Sequence, residues 1–252
     1  MIVLKAISET ITTIIVTSAL IIISITIFYF ALIILQQSSI SAEYGYIKTT
    51  LINLANSFPE IIEGGSYAAG LPSRIVGVGY KQLPNSYVNI TVVKNGNTSY
   101  SYFDEPIAIE ATAYHAIVTR NSTLYGTSNM IINLTQLIPH VMELYHEGVT
   151  YLRLDTCRVY LKNYEINSTN GMKYVINILY IKITPKIISS SPRRLVVSLS
   201  DVESTTIVDA DDVIIRVKQG TSIQEYKASD HIPSNVQLDV NIIIKEIGVI
   251  YL

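Results

Sequence analysis

The sequence predicts an α+β protein in which a long N-terminal transmembrane and stalk helix precedes a mainly antiparallel, sandwich-like β head. Three observations support this class. The chain opens with a long apolar run, an amphipathic heptad pattern follows, and the remainder alternates in short segments between Gly, Asn and Pro turns. We expect a leader at 1–6, the helix at 7–63 and the head at 71–252, with a division of the head near residue 148 as an alternative.

The apolar run is long enough to cross a membrane. Between Ile7 and Ala42 the only charged side chain is Glu9, and fifteen of the twenty-two residues from 14 to 35 are Ile, Leu, Val or Phe. At 1.5 Å per residue this stretch is about 33 Å long, against a hydrocarbon core of about 30 Å. A cleaved secretory signal would need only about 7–15 apolar residues. We therefore predict a retained span in contact with membrane lipid, marked by Ile14, Leu20, Phe28 and Leu35.

A short motif precedes the span. Lys5-Ala6-Ile7-Ser8 stands directly before the apolar helix and resembles the class III signal peptide of archaeal type IV pilin-like proteins. The resemblance implies that a prepilin peptidase cuts between Ala6 and Ile7, and that the helix behind the cut packs with identical or related subunits in a filament. Glu9 departs from the family pattern, because it becomes the third residue of the mature chain and not the fifth. A plain signal anchor flanked by Lys5 is the alternative.

The orientation follows from charge and from glycosylation motifs. Lys5 lies before the span, and the positive-inside tendency keeps that end in the cytoplasm. Five Asn-x-Ser/Thr motifs, the acceptors of N-glycosylation in exported domains, lie beyond the span. We therefore expect a single-pass cell-membrane protein with an extracellular C-terminal domain. The motifs begin at Asn89, Asn97, Asn121, Asn133 and Asn167.

Composition limits the partners and the size of the head. The net charge is −2 and no block of Lys and Arg occurs, so nucleic acid is not an expected partner. The mean hydropathy of +0.35 is raised by the anchor, yet about 210 residues remain, enough for one substantial domain or two small ones. Cys157 is the only cysteine, so an intrachain disulfide is excluded.

Beyond the span the pattern becomes amphipathic. Apolar residues recur at alternating gaps of four and three for about three heptads, which predicts a helix with one buried stripe. The stripe is expected to pack on the head, on neighbouring helices, or on both in part. Pro59 is expected to kink or restart the helix, and Gly64-Gly65 to end it. The stripe consists of Ile40, Tyr44, Ile47, Leu51, Leu54, Phe58 and Ile61.

The head shows recognisable β features. Asn95-Gly96 between alternating segments predicts a hairpin from Val88 to Phe103 with a type I′ turn. A second hairpin is expected from Arg158 to Ile183, and alternation from Val236 onward predicts a final strand with one buried face. One helix is expected within 133–146. About eight strands in all favour a sandwich or a pair of small sheets.

No catalytic constellation is recognisable, so we expect neither an enzyme nor a cofactor or metal. Cys157 lies in a strand pattern and is interpreted as a small core residue. Asp209, Asp211 and Asp212 lack the glycine and distal glutamate of an EF-hand, so they predict a solvated turn, with structural Ca²⁺ as the alternative. The four histidines lack metal-ligand spacing. They are His115, His140, His146 and His231.

These observations predict a pilin-like surface subunit, minor because the chain is long for a major pilin, whose head serves adhesion or lattice contacts. One alternative is a permanently anchored binding protein that never polymerises and is encoded by a cell or a virus. A second is a membrane-tethered extracellular enzyme.

Overall fold

The structure is a computed structural model that describes residues 2–72, 76–114, 117–134, 139–168, 171–187, 193–233 and 236–252. For residues 2–10, 168 and 187 it describes the backbone alone. His115 lies outside the described residues, and so do Thr135 and Thr169, the third residues of the glycosylation motifs at Asn133 and Asn167.

A single helix, α1, opens the chain and spans Ile2–Ile62. The helix runs through Pro59, so the expected restart there does not occur. It ends at Ile62, just before the turn that contains the predicted Gly64-Gly65 pair. The chain forms two compact units, one up to Tyr44 and one from Gly45 to Leu252. The second unit therefore contains the last part of α1 together with the whole head.

The head contains fifteen strands within the described residues, more than the eight expected, because several are short or lack alternation. They are β1 (Ser66–Gly70), β2 (Val76–Gln82), β3 (Tyr87–Lys94), β4 (Asn97–Asp104), β5 (Ile107–Ala113), β6 (Ser122–Tyr125), β7 (Ile131–Asn133), β8 (His140–His146), β9 (Val149–Asp155), β10 (Val159–Ser168), β11 (Gly171–Ile187), β12 (Arg194–Ala210), β13 (Asp212–Gln219), β14 (Ser222–Lys227) and β15 (Gln237–Tyr251). A short 3₁₀ helix spans Ala228–Asp230.

The strands form three sheets. The first has six strands in the order β1-β12-β15-β11-β10-β7, the second four in the order β14-β13-β3-β4, and the third five in the order β2-β5-β9-β8-β6. Pairing is antiparallel except for β11 with β15 and β10 with β7, which are parallel. The predicted class, a long helix followed by a mainly antiparallel β head, is confirmed.

A sandwich core lies between the six-stranded and four-stranded sheets. Val88, Ile90 and Val92 of β3 point into it, and every second residue from Leu238 to Ile244 of β15 joins them. Apolar residues that alternate along a strand share one face, so each strand contributes a buried row. The residues between them, such as Asn89, lie on the outer face of the four-stranded sheet.

The six-stranded sheet uses both faces. In β15 the buried positions are even-numbered up to Ile244 and odd-numbered from Ile247 to Tyr251, while its register with β11 continues without a shift. The second half of β15 therefore buries the face opposite to the sandwich core. There Tyr80 of β2 donates a hydrogen bond to the Val249 carbonyl at 2.5 Å, and its ring meets that of Tyr251 edge-on at 4.7 Å. This contact joins the five-stranded sheet to the six-stranded one.

Both predicted hairpins and the final strand are confirmed. Asn95 and Gly96 have φ of 52° and 71°, as a type I′ turn between β3 and β4 requires. Strands β10 and β11 pair from Val159 opposite Tyr180 to Ser168 opposite Gly171. The strand predicted from Val236 onward is β15, whose bounds are Gln237–Tyr251.

One expectation for the head is wrong. The helix expected within 133–146 is absent from the described part of that range, because 140–146 forms strand β8. Residue 148, near which a division of the head was an alternative, lies with Glu147 in the turn between β8 and β9, which pair throughout. Both turn residues have positive φ, 49° and 82°, so the chain reverses at this point within one sheet.

Candidate functional site

In the first unit, the candidate functional feature is the apolar part of α1. Every residue from 11 to 32 is exposed, including Ile14, Leu20 and Phe28, and Leu35 is exposed as well. The helix passes the length and composition test for a membrane span, with a mean hydropathy of 2.7 over its most apolar window. An apolar surface on all sides of a helix is stable in lipid or against other helices, and unstable in water. The described residues therefore include one helix suited to a single-pass anchor.

Two threonine hydroxyls within this segment are satisfied by the helix itself. Thr17 Oγ1 donates to the Thr13 carbonyl and Thr26 Oγ1 to the Ile22 carbonyl, each at 2.8 Å. Because an unpaired hydroxyl in hydrocarbon is costly, these back-bonds let threonine reside in a span. The motif Lys5-Ala6-Ile7-Ser8 and Glu9 lie on the same helix, N-terminal to the exposed stretch, in the part where only the backbone is described.

The predicted stripe is buried along its whole length. Five of its residues, Ile47, Leu51, Leu54, Phe58 and Ile61, lie in the second unit and are no more than 1% exposed. Ile40 and Tyr44, in the first unit, are buried as well. The heptad pattern thus marks the part of α1 that has a covered face.

Polar contacts attach the last part of α1 to three strands. Lys48 Nζ lies 2.8 Å from Glu143 Oε1 of β8, and Glu143 is buried. Tyr67 of β1 donates to the Thr50 carbonyl at 3.2 Å. Lys245 of β15 donates to the Ile62 carbonyl at 2.6 Å. Since helix ends leave carbonyls without partners, a lysine there satisfies one and complements the negative end of the helix dipole.

The end of α1 is a Schellman motif, formed by the predicted glycine pair. Gly65 N donates to the Glu60 carbonyl at 2.9 Å and Gly64 N to the Ile61 carbonyl at 3.1 Å. Gly64 has φ of 102°, and a Cβ on Gly65 would lie 2.8 Å from the Glu60 oxygen. Glycine is therefore required at both positions.

The glycosylation motifs occupy different surroundings. Asn97 begins β4 beside the hairpin turn and is exposed, as are Asn133 and Asn167. Asn121 is exposed too, but its Oδ1 accepts a hydrogen bond from Tyr145 N at 2.8 Å. Asn89 lies in the middle of a paired strand, half-buried. Among the motifs whose three residues are all described, those at Asn97 and Asn121 have exposed acceptors, and Asn97 Nδ2 donates to the Asn95 carbonyl at 3.3 Å.

A buried polar cluster was missed by the sequence reading. Asp155 and Arg158 are fully buried, and Arg158 Nη2 lies 3.7 Å from Asp155 Oδ1. His140 Nδ1 lies 3.7 Å from Asp155 Oδ2, and Gln219 Nε2 donates to the same oxygen at 3.1 Å. The Arg158 guanidinium has no hydrogen-bond partner among the described residues. Its charge is therefore held in the core by the nearby carboxylate.

The cluster shifts the acidity of Asp155. Burial works to raise the pKa of this carboxyl, but the interaction with His140, the charge of Arg158 and the Gln219 hydrogen bond lower it overall. The carboxylate therefore stays charged in the core, where it balances Arg158. The only sequence signal is the polar run from Asp155 to Arg158 between two strands, which equally fits an exposed turn.

Cys157 is a core residue, as predicted. It is fully buried, and its Sγ lies 3.6 Å from the Lys218 carbonyl. Burial, with a further contribution from Asp155, raises the pKa of its thiol to about 12. Since the thiolate is the reactive form, this side chain is inert at neutral pH.

The acidic residues 209–212 organise a turn. Asp212 accepts hydrogen bonds from Ser229 N and Ser229 Oγ, both at 2.9 Å, and Asp211 accepts one from Gly96 N at 2.8 Å. Asp209 has φ of 56° at a β-bulge of β12. Within the described residues, no group of three or more His, Cys, Asp or Glu side chains is placed to hold a metal ion.

No protein-family model matches this sequence, and neither the curated proteins nor the solved structures contain a significant match.

Proposed function

We propose that this chain is a single-pass, membrane-anchored surface protein and a minor pilin-like subunit, whose β-rich head serves adhesion or lattice contacts. The observation that carries the proposal is the contrast along α1. An exposed segment that is apolar on all sides is followed by a segment with one covered stripe, attached to a β head. An anchor joined to a displayed domain has this organisation.

The exposed segment suits two environments in succession. Lipid covers it before assembly, and the same segments of identical or related subunits cover it in a filament. Both environments favour an uncharged helix without a polar stripe, and residues 11–35 meet that requirement. No nucleic acid is among the proposed partners, because the net charge of −2 provides no basic surface.

The pilin-like part of the proposal is supported by Lys5-Ala6-Ile7-Ser8 immediately before the apolar segment. A prepilin peptidase is the proposed processing partner, with cleavage between Ala6 and Ile7. Glu9 then becomes the third residue of the mature chain, so subunit register in the filament does not depend on a glutamate at the fifth position.

The orientation is supported by Lys5 on the amino-terminal side and by the exposed acceptor Asn97 in the head. The amino terminus lies in the cytoplasm, and the head lies outside the cell membrane with its accessible acceptors glycosylated.

Amino-terminal sequencing of the membrane-bound protein tests the proposal. A mature chain that begins at Ile7 supports it. Ala6→Tyr should block processing, because a bulky residue replaces the small one before the cut. Ala19→Tyr makes the same exchange inside the span and should leave processing intact.

An intact Met1 on a protein that remains in the membrane contradicts the pilin-like proposal. That result favours the rival, a permanently anchored surface binding protein that does not polymerise. The two functions share the anchor and differ in the first residue of the mature chain.

A further inference from the structure

A cleft of about 420 Å³ opens on the head where the loop after β2 meets the end of β4. Its lining residues include Gln82 at the end of β2, Ser86 and Tyr87 where β3 begins, Phe103 near the end of β4, Glu105 just after β4, and Lys218 of β13. β4 is the edge strand of the four-stranded sheet, so the cleft is open on that side. All these residues belong to the second unit.

Phe103 is the notable apolar group of the cleft. The chain has four phenylalanines, and the other three, Phe28, Phe30 and Phe58, lie in α1. The single phenylalanine of the head is thus not in its core but 59% exposed. Its ring stacks on Tyr87, with centroids 5.7 Å apart and planes at 27°. An exposed aromatic ring held in a fixed orientation by a second ring is a preformed platform for a ligand.

The polar side chains beside this platform are held in place by hydrogen bonds. Gln82 Nε2 donates to Glu105 Oε2 at 2.6 Å, which leaves the amide oxygen and the second carboxylate oxygen to face other partners. Ser86 Oγ donates to the Pro84 carbonyl at 3.2 Å and accepts from Gly220 N at 3.3 Å. Amide and carboxylate oxygens next to one another can accept hydrogen bonds from adjacent hydroxyl groups.

The charge of the cleft selects among ligand classes. Among the described residues that line it, Glu105 and Lys218 carry the charges, and these cancel. The neighbouring Arg216 is already paired with Glu225. A polyanion would require an excess of cations, and an apolar ligand would leave the polar wall unpaired. A ligand that is uncharged, rich in hydroxyls and flat on one C–H face fits both walls.

We propose that this cleft binds a neutral saccharide. The C–H face of a sugar ring lies on Phe103, because the negative face of the aromatic ring attracts partly positive hydrogens, and its hydroxyls donate to Glu105 and Gln82. The inference deepens the proposed function, since it assigns the adhesive role of the displayed head to one site and one chemical class of ligand.

The test uses the full chain in lipid nanodiscs, because detergents with sugar head groups would compete. Immobilised mannan, dextran and galactan are the neutral probes, and alginate is the acidic one. At least one neutral polysaccharide should bind. Phe103→Ala should weaken that binding by about tenfold or more, as loss of a central aromatic contact does. Tyr114→Ala removes another exposed aromatic, 72% exposed and located directly after β5 of the five-stranded sheet, and should bind as the unmodified protein does.

Glu105→Gln gives a second readout, because it keeps the shape and removes an acceptor charge, and it should also weaken binding. The proposal is overturned if no neutral polysaccharide binds, if alginate alone binds, or if Phe103→Ala binds as well as the unmodified protein. Retention in the membrane fraction, measured on the same preparations, tests the anchor separately. A protein that is retained but does not bind contradicts the saccharide site and leaves the proposed anchor intact.

Discussion

Two phenylalanines of the same helix occupy opposite environments. Phe28 is 65% exposed and Phe58 is fully buried, although both lie in α1. Around Phe28 the helix is apolar on every side, and around Phe58 it carries one apolar stripe with polar residues between. The periodicity of the sequence, more than its hydrophobicity, therefore distinguishes a segment that needs lipid or other helices from one that packs on its own domain.

The test with the largest expected effect introduces charge into the exposed apolar segment of α1. Ile21→Asp with Ile25→Asp should abolish membrane retention, because exchanging two central isoleucines for aspartates costs roughly 6–8 kcal/mol of insertion free energy. Alkaline extraction of membranes measures the retained fraction. Ile21→Leu with Ile25→Leu is the control and should remain fully retained. Retention of the double aspartate variant would show that these residues do not face lipid.

The next test replaces one phenylalanine by alanine in each of the two regions of α1. Phe58→Ala should destabilise the head by about 3–5 kcal/mol, since it opens a cavity in a packed stripe. Phe28→Ala should leave the unfolding temperature of the head unchanged. Thermal unfolding followed by circular dichroism compares the two variants. Equal effects would mean that the buried stripe does not contribute to the stability of the head.

A third test concerns the buried cluster of the head, where the pKa of Asp155 is lowered. A carboxyl whose pKa is lower in the folded state stabilises the protein above its ordinary pKa of about 3.9, and that stabilisation is lost as the pH falls toward the folded value. The unfolding midpoint should therefore fall steeply below about pH 4. Asp155→Asn should cost about 3–5 kcal/mol at neutral pH, because it leaves Arg158 buried without its counter-charge.

Urea unfolding at pH 6 and pH 3 measures this dependence. The difference between the two midpoints should be smaller for Asp155→Asn than for the unmodified protein. An unchanged difference would contradict the assignment of the acid sensitivity to this carboxyl.

The smallest effects are expected at two glycines, one within α1 and one just after its end. Gly65→Ala should destabilise the head by about 1–3 kcal/mol, because the new Cβ has to displace the backbone of the helix end. Gly45 lies in the helix, and a Cβ there meets nothing within 4 Å, so Gly45→Ala should stabilise by about 1 kcal/mol. Chemical unfolding of the two variants measures the change in unfolding free energy, which should be negative for Gly65→Ala and positive for Gly45→Ala. A destabilising Gly45→Ala would place a contact at that position.

The parts of the fold that the sequence predicted are those specified by local pattern. The stripe from Ile40 to Ile61 and the final strand have a clear periodicity, and the Asn95-Gly96 turn has a specific chemistry. The strand β8 was mistaken for a helix because its apolar residues are partly buried on both faces, and a short apolar run of this kind fits either element. Its buried Glu143 pairs with Lys48, 95 residues away, which no local pattern encodes.

Long-range pairing accounts for the remaining differences. The parallel pairing of β11 with β15 brings together segments separated by more than fifty residues, and the two hairpin-like patterns gave no sign of it. The Asp155 and Arg158 cluster and the cleft at Phe103 depend on which strands become neighbours. The residues of these two sites form no recognisable sequence motif. The burial of the cluster and the exposure of Phe103 are therefore evident only in the folded chain.

Protease treatment of intact cells, combined with membrane fractionation, tests the central claim most directly. The account predicts a full-length chain that resists alkaline extraction from membranes and loses its head to protease added outside the cells, while a fragment that contains the exposed part of α1 stays in the membrane. A full-length chain that is recovered in the soluble fraction, or a head that is protected in intact cells and cut only after lysis, would contradict it.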